Sequence, residues 1–89
     1  MQMADKMQRI LKKFEERILL ALYKYYLSDI TFERAAEEAN VPIYFLIQYV
    51  NHNNLPIVHT EEDVRIGIEK VRLLMGKTGM DTKKLPLLA

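Results

Sequence analysis

Apolar side chains in the first third of the chain repeat at helical spacing. No proline or glycine interrupts the stretch from Asp5 to Leu27. Spacings of four and three residues alternate along this stretch, and the residues so spaced are Met7, Leu11, Phe14, Ile18, Ala21 and Tyr25. Side chains spaced in this way share one face of an α-helix, so the pattern predicts a long N-terminal helix.

Beyond Arg17 the apolar residues of this helix spread around its circumference, so several faces need cover. Two explanations remain open. The helix is either the centre of its own domain's core, or part of it packs against a second copy of the chain. The candidate residues for a dimer or partner interface are Met7, Leu11, Phe14, Ile18, Leu85 and Leu87.

Residues 31–50, TFERAAEEANVPIYFLIQYV, have the pattern of a helix-turn-helix. Thr31 can cap a short helix that runs to about Ala39, and Ala36 is small enough to allow a close helix crossing. Asn40 tolerates the positive φ that a tight turn requires. Pro42 suits the first position of the next helix, because its missing N–H would be unpaired there.

That next helix is predicted to end near Asn51, with Val41 and Leu46 directed into a shared core. A polar turn follows, and Leu55 to Val58 reads as a short extended segment that Pro56 limits to a sheet edge or a single β-bridge. Thr60 and the acids after it predict a capped fourth helix that ends at Gly76 and Gly79.

The predicted fold is therefore an all-α bundle of about four helices with one short extended segment. Residues 1–76 form a single domain that contains the helix-turn-helix at 31–50, and residues 77–89 form a flexible tail. The chain has 89 residues and no cysteine, which excludes disulfides and thiolate chemistry. With no secretory signal and no bilayer-length apolar run, a cytoplasmic location is expected.

Charge is distributed unevenly along the chain. Residues 1–27 hold six basic and three acidic side chains, whereas residues 28–55 hold one basic and four acidic side chains. Affinity for DNA depends largely on the neutralisation of phosphates by Lys and Arg, so the helix-turn-helix alone would bind a duplex poorly. Any phosphate contacts should come mainly from the first helix; the candidates are Lys6, Arg9, Lys12, Lys13 and Arg34.

The third helix carries the candidates for contacts with DNA bases, which are Ile43, Tyr44, Ile47, Gln48 and Asn51. Gln48 and Asn51 can form paired hydrogen bonds to base edges, while Ile43 and Ile47 could only meet thymine methyl groups. The alternative is that the apolar members are buried against another element or subunit.

Catalysis has little support in the sequence. His52 and His59 are the only histidines, and their spacing matches no usual metal-ligand motif. No glycine-rich phosphate loop is present, because Gly76 and Gly79 read as a helix end. We therefore expect no enzyme activity, no metal, no cofactor and no small-molecule substrate.

The stretch from Ala21 to Val71 resembles a prokaryotic family of small proteins predicted to be helix-turn-helix antitoxins. The likeness lies in the pair Ala35 and Ala36, the pair Phe45 and Leu46, the turn at residues 54–56 and the acidic helix start at residues 61–63. Many relatives begin with a β-strand where this chain has a helix, and they often carry an acid where Gly67 stands.

The resemblance implies an antitoxin that forms a homodimer, binds its operator DNA through the helix-turn-helix and neutralises a toxin, a nuclease in this interpretation, with its C-terminal part. A second interpretation follows from the acidic charge and the apolar third helix. In it the helix-turn-helix is a scaffold that binds another protein and no DNA.

Overall fold

The computed structural model describes the backbone of residues 2–80 and the side chains of residues 13–80. It contains four helices within this range: α1 (Gln2–Tyr26), α2 (Phe32–Ala39), α3 (Ile43–His52) and α4 (Glu61–Thr78). No strand occurs among residues 2–80. The predicted all-helical architecture is confirmed.

The C-terminal half of α1 lies at the centre of the core. Ile18, Leu19, Leu22 and Tyr26 are almost completely buried, and both α2 and α4 pack against α1. The prediction that this half of α1 would be covered on several sides is confirmed, although Leu20 remains 42% exposed. Burial of each large side chain stabilises the fold by about 1.5 to 3 kcal/mol before the entropy cost of ordering.

Small residues allow α2 to lie close to α1. Ala35, Ala36 and Ala39 are all buried on one face of α2. Thr31 caps this helix as predicted, because its hydroxyl oxygen accepts a hydrogen bond from the Arg34 N–H at 3.1 Å.

The turn between α2 and α3 depends on a left-handed residue, as predicted. Asn40 has φ 59° and ψ 44°, and its N–H donates to the carbonyl of Glu37 while that of Val41 donates to the carbonyl of Ala36. The prediction for Pro42 is wrong by one position. Its ψ of 149° makes it the N-cap, so α3 begins at Ile43. Its carbonyl accepts from the N–H groups of Phe45 and Leu46.

Two neighbouring tyrosines fasten the loop between α3 and α4 to the end of α1. The Tyr26 hydroxyl donates to the carbonyl of Pro56 at 2.8 Å, and the Val58 N–H donates to the Tyr25 hydroxyl at 2.9 Å. The extended segment at residues 55–58, which the sequence limits to a sheet edge or a single β-bridge, forms neither. The Pro56 carbonyl and the Val58 N–H bind tyrosine side chains of α1 instead.

A capping box begins α4, as its acidic start predicts. The Thr60 hydroxyl oxygen accepts from the Asp63 N–H, and the Asp63 carboxylate accepts from the N–H groups of His59 and Thr60. These backbone hydrogen bonds, with that of His59 first, lower the pKa of Asp63.

The prediction that Gly76 and Gly79 end α4 is confirmed for Gly79 and wrong for Gly76. The helix continues through Gly76 to Thr78, and Gly79 is the C-cap with φ 82°. One glycine costs a helix only about 0.5 to 1 kcal/mol, which the buried face formed by Ile68, Val71 and Met75 readily offsets.

Candidate recognition surface on α3

The position of α3 is fixed by contacts on its inner side. Leu46 and Val50 are completely buried. Phe45 meets Phe14 of α1 edge to face, with ring centroids 5.8 Å apart, and the Tyr49 hydroxyl donates to the Glu15 carboxylate at 3.0 Å. Both contacts tie α3 to the same turn of α1.

The Tyr49 side chain remains protonated at neutral pH. Burial raises its pKa, and the negative charge of Glu15 together with the hydrogen bond raises it further. The protonated hydroxyl can therefore act as a donor that anchors α3 to α1.

The outer side of α3 is exposed along its whole length. The structure places all five sequence-predicted base-contact candidates there: Ile43, Tyr44, Ile47, Gln48 and Asn51. Tyr44 is 63% exposed, and Ile43 and Ile47 are 42% and 37% exposed. These five residues are called the α3 face below. No other element among the described residues covers them, and burial of the apolar members against another subunit stays a prediction.

The edge of α2 beside this surface is acidic. Arg34 is the only cation on α2, and its guanidinium pairs with Glu37 at 3.1 Å and with Glu38 at 3.4 Å. Glu38 also accepts a hydrogen bond from Lys24, and that hydrogen bond is the main reason why the pKa of Glu38 is lowered. Arg34 is thus engaged in its own helix, although the sequence made it a candidate for phosphate contact.

The other phosphate-contact candidates are on α1. Lys13 is exposed, and the side chains of Lys6, Arg9 and Lys12 lie outside the described residues. Arg17, which is not among the sequence-predicted candidates, is exposed one turn beyond Lys13. Its spacing of four residues from Lys13 is the sequence signal that places both side chains on the same surface of α1.

The candidates for a dimer or partner interface differ in how far their side chains are exposed in the structure. Ile18 is 1% exposed within its own chain, so its prediction as an interface residue is wrong. It packs in the core because α2 and α4 cover this part of α1. Phe14 keeps 36% of its surface exposed while contacting Phe45. Met7, Leu11, Leu85 and Leu87 have side chains outside the described residues.

A second exposed feature lies on α4 and has no counterpart in the predictions. Leu73 is 67% exposed and lines a shallow groove with Glu69 and Arg72. The apolar spacing of α4 assigns its core face but gives no reason to expect an exposed leucine beside it.

The described residues contain neither a metal-binding cluster nor a membrane-spanning helix. Among residues whose side chains are described, no three His, Cys, Asp or Glu side chains lie close enough together to bind a metal ion. No helix among residues 2–80 combines the length and the apolar character needed to cross a bilayer.

Comparison of the chain with protein-family models, with curated proteins and with solved structures finds no match. The resemblance to helix-turn-helix antitoxins therefore stays a prediction from the residues themselves.

Proposed function

We propose that this chain is a non-catalytic helix-turn-helix protein of the antitoxin or repressor type, which binds duplex DNA as a homodimer through the α3 face. The observation that supports the proposal best is the exposure of all five base-contact candidates on one side of α3. The opposite side of α3 is anchored in the core by Leu46 and Val50, so the helix can be inserted into a groove without unfolding.

In this proposal Gln48 and Asn51 read base edges. A glutamine or asparagine side chain can form two hydrogen bonds to adenine in the major groove. Ile43 and Ile47 contact thymine methyl groups, and the aromatic ring of Tyr44 contacts the sugar–phosphate wall. The contacts to phosphates come from the basic first helix.

As an antitoxin, the chain has a second partner, a toxin protein that is a nuclease. The C-terminal part of the chain binds this toxin. The apolar residues Leu85 and Leu87 would form part of that contact, and they lie outside the described residues. The reading frame next to this one in the genome tests the assignment, because a small nuclease gene supports it and an unrelated metabolic gene argues against it.

Fluorescence anisotropy with a pool of random duplexes tests the DNA-binding role. Affinity should fall steeply as salt is added, and reversing the charge of Lys12 and Lys13 to glutamate should abolish binding. Titrated separately with individual duplexes that differ in one base pair, Gln48→Ala should show discrimination reduced by about 1 to 3 kcal/mol. Affinity that responds to neither salt nor charge reversal would contradict the role.

A second candidate function is favoured by the chemistry of the α3 face. Three of its five members are apolar or aromatic, and the one cation of α2 is already paired with two acids. In this alternative the α3 face binds another protein and the helix-turn-helix is a scaffold. Purification of the native complex distinguishes the two functions. A protein partner that is lost in the Tyr44→Ala variant, without nucleic acid, favours the scaffold.

A further inference from the structure

Four of the eight Lys and Arg side chains among the described residues form ion pairs or hydrogen bonds within the chain. Lys24 pairs with Glu38, Arg34 with Glu37 and Glu38, Arg65 with Glu62 and Glu69, and Lys70 donates to the carbonyl of Asn54. The remaining Lys and Arg side chains form no hydrogen bond or ion pair with the described residues. These four are Lys13, Arg17, Arg72 and Lys77.

Two of the unpaired cations, Lys13 and Arg17, lie on α1, the helix that contacts α3 through Phe14 and Phe45. Arg17 is three residues after Phe14, so the two are neighbours on the surface of α1. Phe14 contacts Phe45, and Gln48 is the neighbour of Phe45 at the same spacing on α3. The two helix spacings and the ring contact thus relate Gln48 on α3 to Arg17 on α1 through Phe45 and Phe14.

Lys13 is the second of these cations on α1. It stands one turn from Arg17, about 6 Å along the helix axis, and both side chains are exposed. Lys13 and Arg17 therefore follow the axis of α1.

The helix α2, which also packs against α3, offers no such unpaired cation. In helix-turn-helix proteins the first helix of the motif crosses the DNA backbone. Here that helix is α2, which has Glu33 in its first turn and whose one cation, Arg34, is paired with acids. A phosphate placed against α2 would meet carboxylates.

We infer that Arg17, with Lys13, binds the phosphate backbone of the duplex whose bases the α3 face reads, so that α1 takes the place of α2 as the phosphate-binding edge. This inference rests on the proposed DNA-binding function. It assigns the phosphate contact to a residue that sequence patterns did not select, and it removes Arg34 from that role.

Anisotropy titrations with one duplex at several salt concentrations test the inference. Arg17→Gln should weaken binding about eightfold per bound copy at 0.1 M monovalent salt and reduce the logarithmic salt slope by about 0.9, as expected for one lost phosphate contact. Arg17→Lys should retain most of the slope, since it keeps the charge.

Arg72→Gln is the matched control, because Arg72 is also exposed and unpaired among the described residues but belongs to α4. It changes the net charge equally and should alter affinity less than twofold. Arg34→Gln should likewise leave the salt slope unchanged. Circular dichroism of each variant checks that the helical fold is retained.

Three results would overturn the inference, and they differ in what else they affect. Equal losses for Arg17→Gln and Arg72→Gln would show that only net charge matters. Full binding by Arg17→Gln would move the phosphate contact elsewhere and leave the proposed function intact. Failure of the unchanged chain to bind any duplex would contradict both.

Discussion

The aromatic ring of Tyr26 lies against the backbone of Gly67, in the space that a side chain at position 67 would occupy. A Cβ built on Gly67 would overlap three ring atoms of Tyr26. This close approach brings α4 against α1 and leaves the Tyr26 hydroxyl in place to bind the Pro56 carbonyl. A larger side chain at this position, such as an acid, would collide with the ring.

Gly67→Ala should therefore destabilise the fold. Overpacking costs about 1 to 3 kcal/mol and the gain in helix propensity returns about 0.5 to 1, so we expect a net loss of about 1 to 2 kcal/mol in the free energy of unfolding. Urea unfolding followed by circular dichroism measures it.

Gly76→Ala on the same helix is the control. A Cβ there would meet nothing within 4 Å, so the substitution should stabilise the protein by about 0.5 to 1 kcal/mol. Equal effects of the two substitutions would contradict the close contact with Tyr26.

Alkaline pH should destabilise the protein through two tyrosines. Burial raises the pKa of Tyr26 and of Tyr49, and the neighbours Tyr25 and Glu15, respectively, raise these values further. Because each folded-state pKa exceeds the unfolded value of about 10, the folded state binds more protons above that pH. The stabilisation is complete below pH about 10 and is lost as pH rises toward the folded-state pKa values.

The free energy of unfolding, measured in urea between pH 8 and 11, should fall above pH about 10. The slope should be smaller in Tyr49→Phe and in Tyr26→Phe, and smallest in the double variant. A double variant as sensitive to alkaline pH as the unchanged chain would show that other groups cause the loss.

Asn40 occupies the left-handed position of the turn. The stability lost on its substitution should depend on whether the new residue has a Cβ. Asn40→Ala should cost about 1 kcal/mol, because a residue with a Cβ and no local polar side chain disfavours φ 59°. Asn40→Gly should cost nothing measurable, since glycine adopts this conformation freely. Thermal unfolding of the pair tests this, and equal losses would argue against strain at the turn.

The two sides of α3 should respond differently to truncation. Leu46→Ala on the buried side should lower the free energy of unfolding by about 2 to 5 kcal/mol. Tyr44→Ser on the exposed side should change it by less than about 0.5 kcal/mol while weakening DNA binding. A destabilising Tyr44→Ser would mean that the α3 face supports the fold and is no free surface.

Local chemistry explains which parts of the fold the sequence could predict. Thr31, Asn40 and Thr60 act on backbone groups within a few residues of themselves, so their caps and turns were predictable in place. Pro42 was misplaced by one residue because proline is accepted at both neighbouring positions of a helix start. A glycine at position 76 predicts a helix end from local chemistry alone. The helix continues through it because the packing of α4 offsets the cost of the glycine.

Contacts between distant segments were not predictable from one sequence. The binding of Pro56 and Val58 by Tyr26 and Tyr25, which replaces the expected β-bridge, joins residues far apart in the chain. The burial of Ile18 likewise depends on how α2 and α4 cover α1. For the α3 face, helical periodicity alone gave the five exposed residues. The pairing of Arg34 and the availability of Arg17 required the three-dimensional arrangement.

Amide chemical-shift mapping of the full chain with a specific duplex shows whether the α3 face contacts DNA. We predict that the largest shifts occur at the exposed positions of α3, with smaller shifts near Arg17 and none at Glu33 or Glu37. Shifts confined to α4, or no shifts at duplex concentrations well above the chain concentration, would contradict recognition of DNA by the α3 face.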